Sequence, residues 1–310
     1  MIKFSLLYLL ALLVLVGCSL SPQQSEQVIY QCGTQPVALQ SQTDGVVLSL
    51  RGEQQQLSST RAASGARYQS SDQRTEYWNK GHQATITWKG ELLPACVEQG
   101  YLPQNIALRG NEPFWLMTLN QDHATYTTPD QEQEFALTGM DDYSDSGVWS
   151  LAIEQEDNAI GTIHISDNRC TDSMSGKAHP YSVTLRMAGK ELKGCGGETE
   201  QLLQGQPWQL NAMTGYSETL LSNLSLQFLP NGRLAGSDGC NRFFGHYSVD
   251  GEMPRLNVNG MTKRMCRDDI NDVAQKFTQL LNNTAKIAIK ENGIVLRVNS
   301  GQQLTFAPTY

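Results

Sequence analysis

The cysteines constrain this chain more than any other feature. Of the seven, Cys18 stands alone at the end of an apolar run. The other six fall as Cys32 with Cys96, Cys170 with Cys195, and Cys240 with Cys266, each pair inside its own stretch of sequence. Six cysteines allow fifteen pairings. The sequence-neighbour set is expected because each bond then closes one loop within one module. A metal site is the competing use of these thiols. The spacings contain no Cys-x-x-Cys, and His82, His123, His164, His179 and His246 gather around none of them, so no metal and no cofactor is expected.

The N-terminus supplies the compartment that disulfides need. Lys3 precedes the apolar run Phe4 to Gly17. That run falls short of the roughly 20 residues a spanning helix requires. It has the length and flanks of a secretory signal peptide over residues 1–17. Its end, Leu15-Val16-Gly17-Cys18, resembles the bacterial lipobox. The resemblance implies diacylglycerol on the Cys18 sulfur and cleavage that leaves Cys18 as the new N-terminus. Ser19, where an inner-membrane retention signal has Asp, implies a lipid anchor in the outer membrane, with the chain facing the periplasm. Residues 18–26 then form a polar, Ser- and Gln-rich tether. An oxidising periplasm keeps cysteine pairs bonded.

Charge is unevenly distributed. Ser19 to Gly100 holds six Lys/Arg against seven Asp/Glu, Tyr101 to Glu200 six against sixteen, and Gln201 to Tyr310 ten against eight. No module is basic enough to argue for nucleic acid. The acidic middle reads first as a solvated face, and it could also draw a cationic partner at long range.

The secondary-structure signal is β nearly throughout. Val46–Leu50, Ala84–Trp88, Ser182–Leu185, Leu224–Phe228 and Ile294–Val298 are short β-prone runs bounded by turn residues. The exception is Asp268 to Asn282. There Ile270, Val273, Ala274, Phe277, Leu280 and Leu281 recur at helical spacing, behind two aspartates that suit a helix N-terminus. The expectation is a mainly β chain in three modules: a small antiparallel barrel over 27–100, a β-rich acidic unit over 101–200, and a sheet with one amphipathic helix over 201–310.

The first module carries the most specific motifs. Ser64-Gly65-Ala66-Arg67-Tyr68 is followed by Tyr77-Trp78-Asn79-Lys80-Gly81-His82-Gln83-Ala84, and Cys32 and Cys96 bracket both. This resembles the periplasmic and membrane-bound inhibitors of c-type lysozyme, small barrels that share a Ser-Gly-x-x-Tyr motif and a later Trp-x-Lys-Gly-x-x-Ala motif. The resemblance implies c-type lysozyme as partner, with Ser64 and Lys80 as the inhibitory contacts. Lysozyme works with one protonated and one ionised carboxyl group across a cleft. A plug for that cleft needs a cation and a hydrogen-bonding group on rigid loops. Gly65 and Gly81 would let the loops turn, and Tyr68 and Trp78 would pack in the barrel or brace the loop.

The middle module reads Arg109-Gly110-Asn111-Glu112-Pro113-Phe114-Trp115, then Cys170-Thr171-Asp172-Ser173-Met174-Ser175-Gly176. It is similar to an uncharacterised family of bacterial envelope proteins with a Gly-Asn-Glu-Pro-Phe-Trp signature. Glu112 could be an acid in a pocket, but a turn with Trp115 in a core is the expected arrangement. Asp172 with Ser175 invites a catalytic reading, but a hydrolase also needs a base and an oxyanion site, His179 is the only nearby candidate, and no enzyme is expected. In the last module Gly239-Cys240-Asn241-Arg242-Phe243-Phe244-Gly245-His246-Tyr247 and Met261-Thr262-Lys263-Arg264-Met265-Cys266 resemble the META/HslJ-like domain. That implies a sheet wrapped on the 268–282 helix, with Cys240 and Asn241 pinning a loop. The functional expectation is a lysozyme inhibitor. The rival is an envelope-stress or structural binding protein acting through the META-like part. Nothing in the sequence fixes an oligomeric state.

Overall fold

A computed structural model describes residues 27–250 and 253–309, so the expected signal peptide, lipobox Cys18 and tether lie outside the described residues. The chain is mainly β. No helix among the described residues is long and apolar enough to cross a membrane.

The first sheet is built from β1 (Gln27–Cys32), β2 (Gln35–Gln42), β3 (Gly45–Leu50), β4 (Glu53–Thr60), β5 (Ala66–Gln69), β6 (Glu76–Lys80), β7 (Gln83–Trp88), β8 (Glu91–Leu92) and β9 (Cys96–Glu98). β1 to β7 pair in sequence, β7 also pairs with β9, and β9 returns to β1, so the ladder closes on itself. The alternation in these strands sends Tyr30, Val37, Leu48, Leu57, Tyr77 and Ile86 inward, as the two-residue period of a strand requires. The β1–β9 register sets Cys32 opposite Cys96, and the two are bonded.

The second sheet is a closed barrel of β10 (Ile106–Asn111), β11 (Phe114–Asn120), β12 (His123–Thr127), β13 (Glu132–Thr138), β14 (Val148–Gln155) and β15 (Asn158–Ser166). It is completed by β18 (Tyr181–Met187) and β19 (Lys190–Gly196), which pairs back with β10. Between β15 and β18 the chain leaves the barrel for a short ribbon, β16 (Cys170–Thr171) and β17 (Ala178–His179). The Cys170–Cys195 bond ties that ribbon to the barrel wall. Side chains fill the interior, Trp115, Met117, Leu151 and Ile153 among them, so this barrel is a packed core and not a ligand cup.

The third sheet runs in the order β24-β23-β22-β21-β20-β27-β26-β25. Its strands are β20 (Trp208–Met213), β21 (Leu224–Leu229), β22 (Arg233–Asp238), β23 (Arg242–Asp250), β24 (Met253–Met261), β25 (Thr284–Lys290), β26 (Gly293–Val298) and β27 (Gln303–Pro308). α1 (Asp268–Asn282) packs on one face, burying Val273, Ala274, Phe277, Leu280 and Leu281. Its Phe277 ring lies between Phe243 and Phe306, 6.2 Å from each.

The sheets also touch one another. Thr34, in the turn after β1, donates through its backbone N–H and its hydroxyl to the Gln204 carbonyl at 2.7 and 2.9 Å. Arg51 Nη2 donates to the Gly205 carbonyl at 2.7 Å. Trp149 Nε1, from the second barrel, donates to the Gly100 carbonyl at 2.9 Å.

Candidate functional site

Ser64 and Lys80 sit at one end of the first barrel, on the β4–β5 loop and the β6–β7 hairpin. What joins them is backbone contact. β5 pairs with β6 so that Ala66 faces Asn79, which carries the loop just before β5 onto the end of β6. Gly65 has a φ of +69°, and a Cβ there would lie 1.9 Å from the Asn79 carbonyl oxygen and 3.5 Å from the Lys80 Cα. Only glycine can take that dihedral and that approach together. Ser64, one residue earlier, is thereby held beside the peptide that leads into Lys80.

Two side chains lock this geometry. Trp78 Nε1 donates to the Ser64 carbonyl at 2.9 Å. The Ala66 N–H donates to Asn79 Oδ1 at 3.2 Å. Trp78 is 39% exposed, so its ring braces the loop from outside the barrel. Tyr68 takes the other expected role: half-buried, it packs on the core with its ring 6.0 Å from that of Tyr77. Tyr77 hydrogen-bonds to Tyr30 at 2.8 Å, and burial then raises the pKa of both phenols. At the hairpin, Lys80 pairs with Gln83 across Gly81 and His82. Gly81 has φ +59° and His82 has no positive φ, the pattern of a type II′ turn with glycine first. The turn fixes where Lys80 leaves the strand.

The two expected contact groups are left free. Ser64 and Lys80 are exposed, and among the described residues Lys80 belongs to no ion pair and the Ser64 hydroxyl to no hydrogen bond. Lys80 stands on the rim of a cleft of about 440 Å³ that also takes in Leu92, Gln104 and Pro230. Asn79 is the member of this site that the sequence reading passed over. It lies inside the quoted motif, but its use as a brace depends on the β5–β6 register.

The middle-module motifs meet elsewhere, and differently. Asp172 is buried and accepts from Ser175 N–H and Oγ, both at 2.7 Å, and from Met174 N–H at 3.1 Å. Asn111 Nδ2 reaches its other oxygen at 2.7 Å. Burial by itself would raise the Asp172 pKa, but these donors outweigh it and hold the carboxyl at about 2. His179 is buried and bonded to the Gly197 carbonyl at 2.7 Å, and burial lowers its pKa. Ser175 spends its hydroxyl on Asp172 and His179 its ring nitrogen on Gly197, with no bond between the two, so the three residues brace a loop. Glu112 is exposed in the β10–β11 hairpin, and Trp115 fills the core at 1% exposure.

In the third sheet, Asp238 accepts from the Cys240 and Asn241 N–H groups. Asn241 Oδ1 accepts from Thr262 Oγ1 at 3.0 Å and the Arg264 N–H at 2.8 Å. With the Cys240–Cys266 bond, these contacts pin the 262–266 segment. No group of three His, Cys, Asp or Glu with metal-binding geometry occurs among the described residues.

The family model for membrane-bound lysozyme inhibitors of c-type lysozyme matches residues 30–92, and the META domain model matches residues 201–309. The N-terminal barrel and the C-terminal sheet thus each match the model of a known domain family. Among curated proteins, the membrane-bound lysozyme inhibitor of C-type lysozyme from Yersinia enterocolitica is 44% identical over 78 residues, 24% of this chain. The chain spans 65% of that relative's length. Among solved structures, a duf4847 family protein from Bacteroides vulgatus aligns at 14% identity over 35% of this chain and 95% of its own, with TM-score 0.29. A protein from Burkholderia xenovorans aligns at 20% identity over 35% and 85%, with TM-score 0.31. Both structural likenesses are too slight to bear on fold or function.

Proposed function

We propose that this chain is a lipid-anchored envelope protein whose first domain inhibits c-type lysozyme, with Ser64 and Lys80 entering the enzyme's two-carboxylate cleft. The observation that carries the reading is a pair of exposed, unengaged polar groups on loops whose backbones are locked together through Gly65, Asn79 and Trp78. The family match over 30–92 and the Yersinia relative support it. The Lys80 ammonium meets the ionised carboxylate of the enzyme, and the Ser64 hydroxyl bonds to the protonated acid. Loops already ordered lose little entropy on docking. The role is that of a stoichiometric plug, and the chain performs no catalysis in it. In the same reading Cys18 carries the acyl chains that hold the protein at the outer membrane, residues 18–26 are the tether, and the domains run 27–100, 101–200 and 201–310.

The test is lysis of cell-wall substrate by c-type lysozymes, with and without residues 19–310, alongside Ser64→Ala and Lys80→Ala. Inhibition by the parent that weakens strongly in either variant supports both the role and the contacts. A folded, disulfide-bonded parent that leaves several c-type enzymes fully active at micromolar dose overturns the role.

A further inference from the structure

The third sheet holds a second exposed surface, unconnected with the lysozyme-facing end. Its outer face, away from α1, presents Arg242 and Phe244 on β23, and the segment after β24 continues with Lys263, Arg264 and Met265. Phe244 is 63% exposed and its ring lies over Gly260 of the neighbouring strand. Met265 is 95% exposed, and Met261 is exposed as well. Arg242, Lys263 and Arg264 take part in no ion pair among the described residues. Arg267 is not part of this free charge, because Asp269 neutralises it at 2.9 Å.

Apolar tips this exposed cost free energy in water, and loops that carry them are ordinarily mobile. Here the segment is fastened instead. Asn241 bonds to it twice, the Thr262 hydroxyl receives the Arg242 N–H at 3.2 Å, and Cys240 is bonded to Cys266. Residues that define the domain signature thus spend their bonds on holding cations and methionine outward. These side chains project from the surface, Met265 almost wholly, so a flat, extended partner suits them better than a small molecule. Interleaved Lys/Arg and flexible apolar tips match the boundary of a bilayer: cations at the phosphates, thioether and aromatic ends in the acyl border. The attraction must be local, because the chain as a whole carries a formal charge of −8 and fields are screened within about 10 Å at 0.1 M salt.

We infer that the Arg242/Phe244/Lys263–Met265 surface of the META domain docks on anionic lipid. The contact is independent of the acyl anchor and of the first domain's role.

The experiment uses the chain from Ser19 to Tyr310, which lacks the acylation site but keeps every described residue. It is mixed with vesicles of equimolar phosphatidylcholine and phosphatidylglycerol, or of phosphatidylcholine alone, and sedimented. Binding to the anionic vesicles that falls as salt is raised, with little to the neutral ones, is the expected result. Each cation removed should weaken partitioning about fivefold, so R242E/K263E/R264E should lose well over tenfold. An F244W reporter should shift its emission to the blue on the anionic vesicles only, and M265S should reduce binding without abolishing its salt dependence. The melting transition and lysozyme inhibition of each variant separate a lost surface from a lost fold. Equal binding to both vesicle types, or anionic binding untouched by the triple reversal, overturns the proposal. So does equal retention on soluble poly-glutamate with no vesicle-induced shift, which would make the surface a site for acidic protein.

Discussion

The Ser64–Lys80 end of the first barrel and the Asn111–Asp172 corner of the second both hold a motif loop still, and they dispose of charge in opposite ways. In the second, the carboxylate is the fastener: Asp172 takes four hydrogen bonds from Ser175, Met174 and Asn111, and the charge is consumed inside the structure. In the first, the fasteners are a glycine, an amide and an indole N–H, and the charged group they position is left facing solvent. A polar residue that satisfies its neighbours supports a fold. One held in place by neighbours that ask nothing of it is available to a partner. The same contrast separates Asp238, bonded to its own loop, from Lys263 and Arg264 outside it.

Four substitutions break or sharpen this contrast. The largest effect is expected for Lys80→Ala, which should cost about 2–5 kcal/mol of affinity for a c-type lysozyme in an inhibition titration, with the denaturant midpoint unchanged. Equal inhibition by the variant would place Lys80 with the fasteners. Asp172→Ala should do the reverse. Stranded donors lower stability by about 1.5–3 kcal/mol in denaturant unfolding, and lysozyme inhibition is kept. Because the folded pKa of Asp172 is depressed to about 2, its contribution is present above the unfolded value near 4. That contribution is lost as pH falls from about 4 through about 2. The parent should therefore show an acid slope in stability that the variant lacks. Gly65→Ala belongs to both sides. It should lower stability by about 1–3 kcal/mol and weaken inhibition too, since the loop cannot keep its φ beside Asn79. The smallest effect is expected for Trp78→Phe, which removes one hydrogen bond worth about 0.5–1.5 kcal/mol. It should raise the inhibition constant modestly, and salt should not rescue it.

Local order was readable in the sequence where one element sets it. The apolar spacing after two aspartates marks Asp268–Asn282, which is where α1 begins and ends. The run Val46–Leu50 lies in β3, and Ile294–Val298 in β26. Closure was less visible. Cys96 ties the short strand β9 to β1 through Cys32, but nothing in β9 announces that it also pairs with β7, because that register depends on twist summed over every strand between. The site divides in the same way. Ser64 and Lys80 stand in recognisable motifs, whereas the use of Asn79 as a clamp and of Asp172 as a self-satisfied anchor appears only once distant strands meet.

The joint between Thr34 and Gln204 bears on how the parts are laid out along the chain. Its partners are 170 residues apart, yet the start of the META-matching region rests on the first turn of the N-terminal barrel. The middle barrel leaves near Gly100 and is back at that joint by Gln204, so in sequence it is a long parenthesis between two parts that touch. The barrel itself touches both neighbours, through Trp149 on Gly100 and through Arg169, whose Nη1 donates to the Ile289 carbonyl at 3.1 Å. Fusing residue 100 directly to residue 201 would show whether the two parts hold together without the barrel between them.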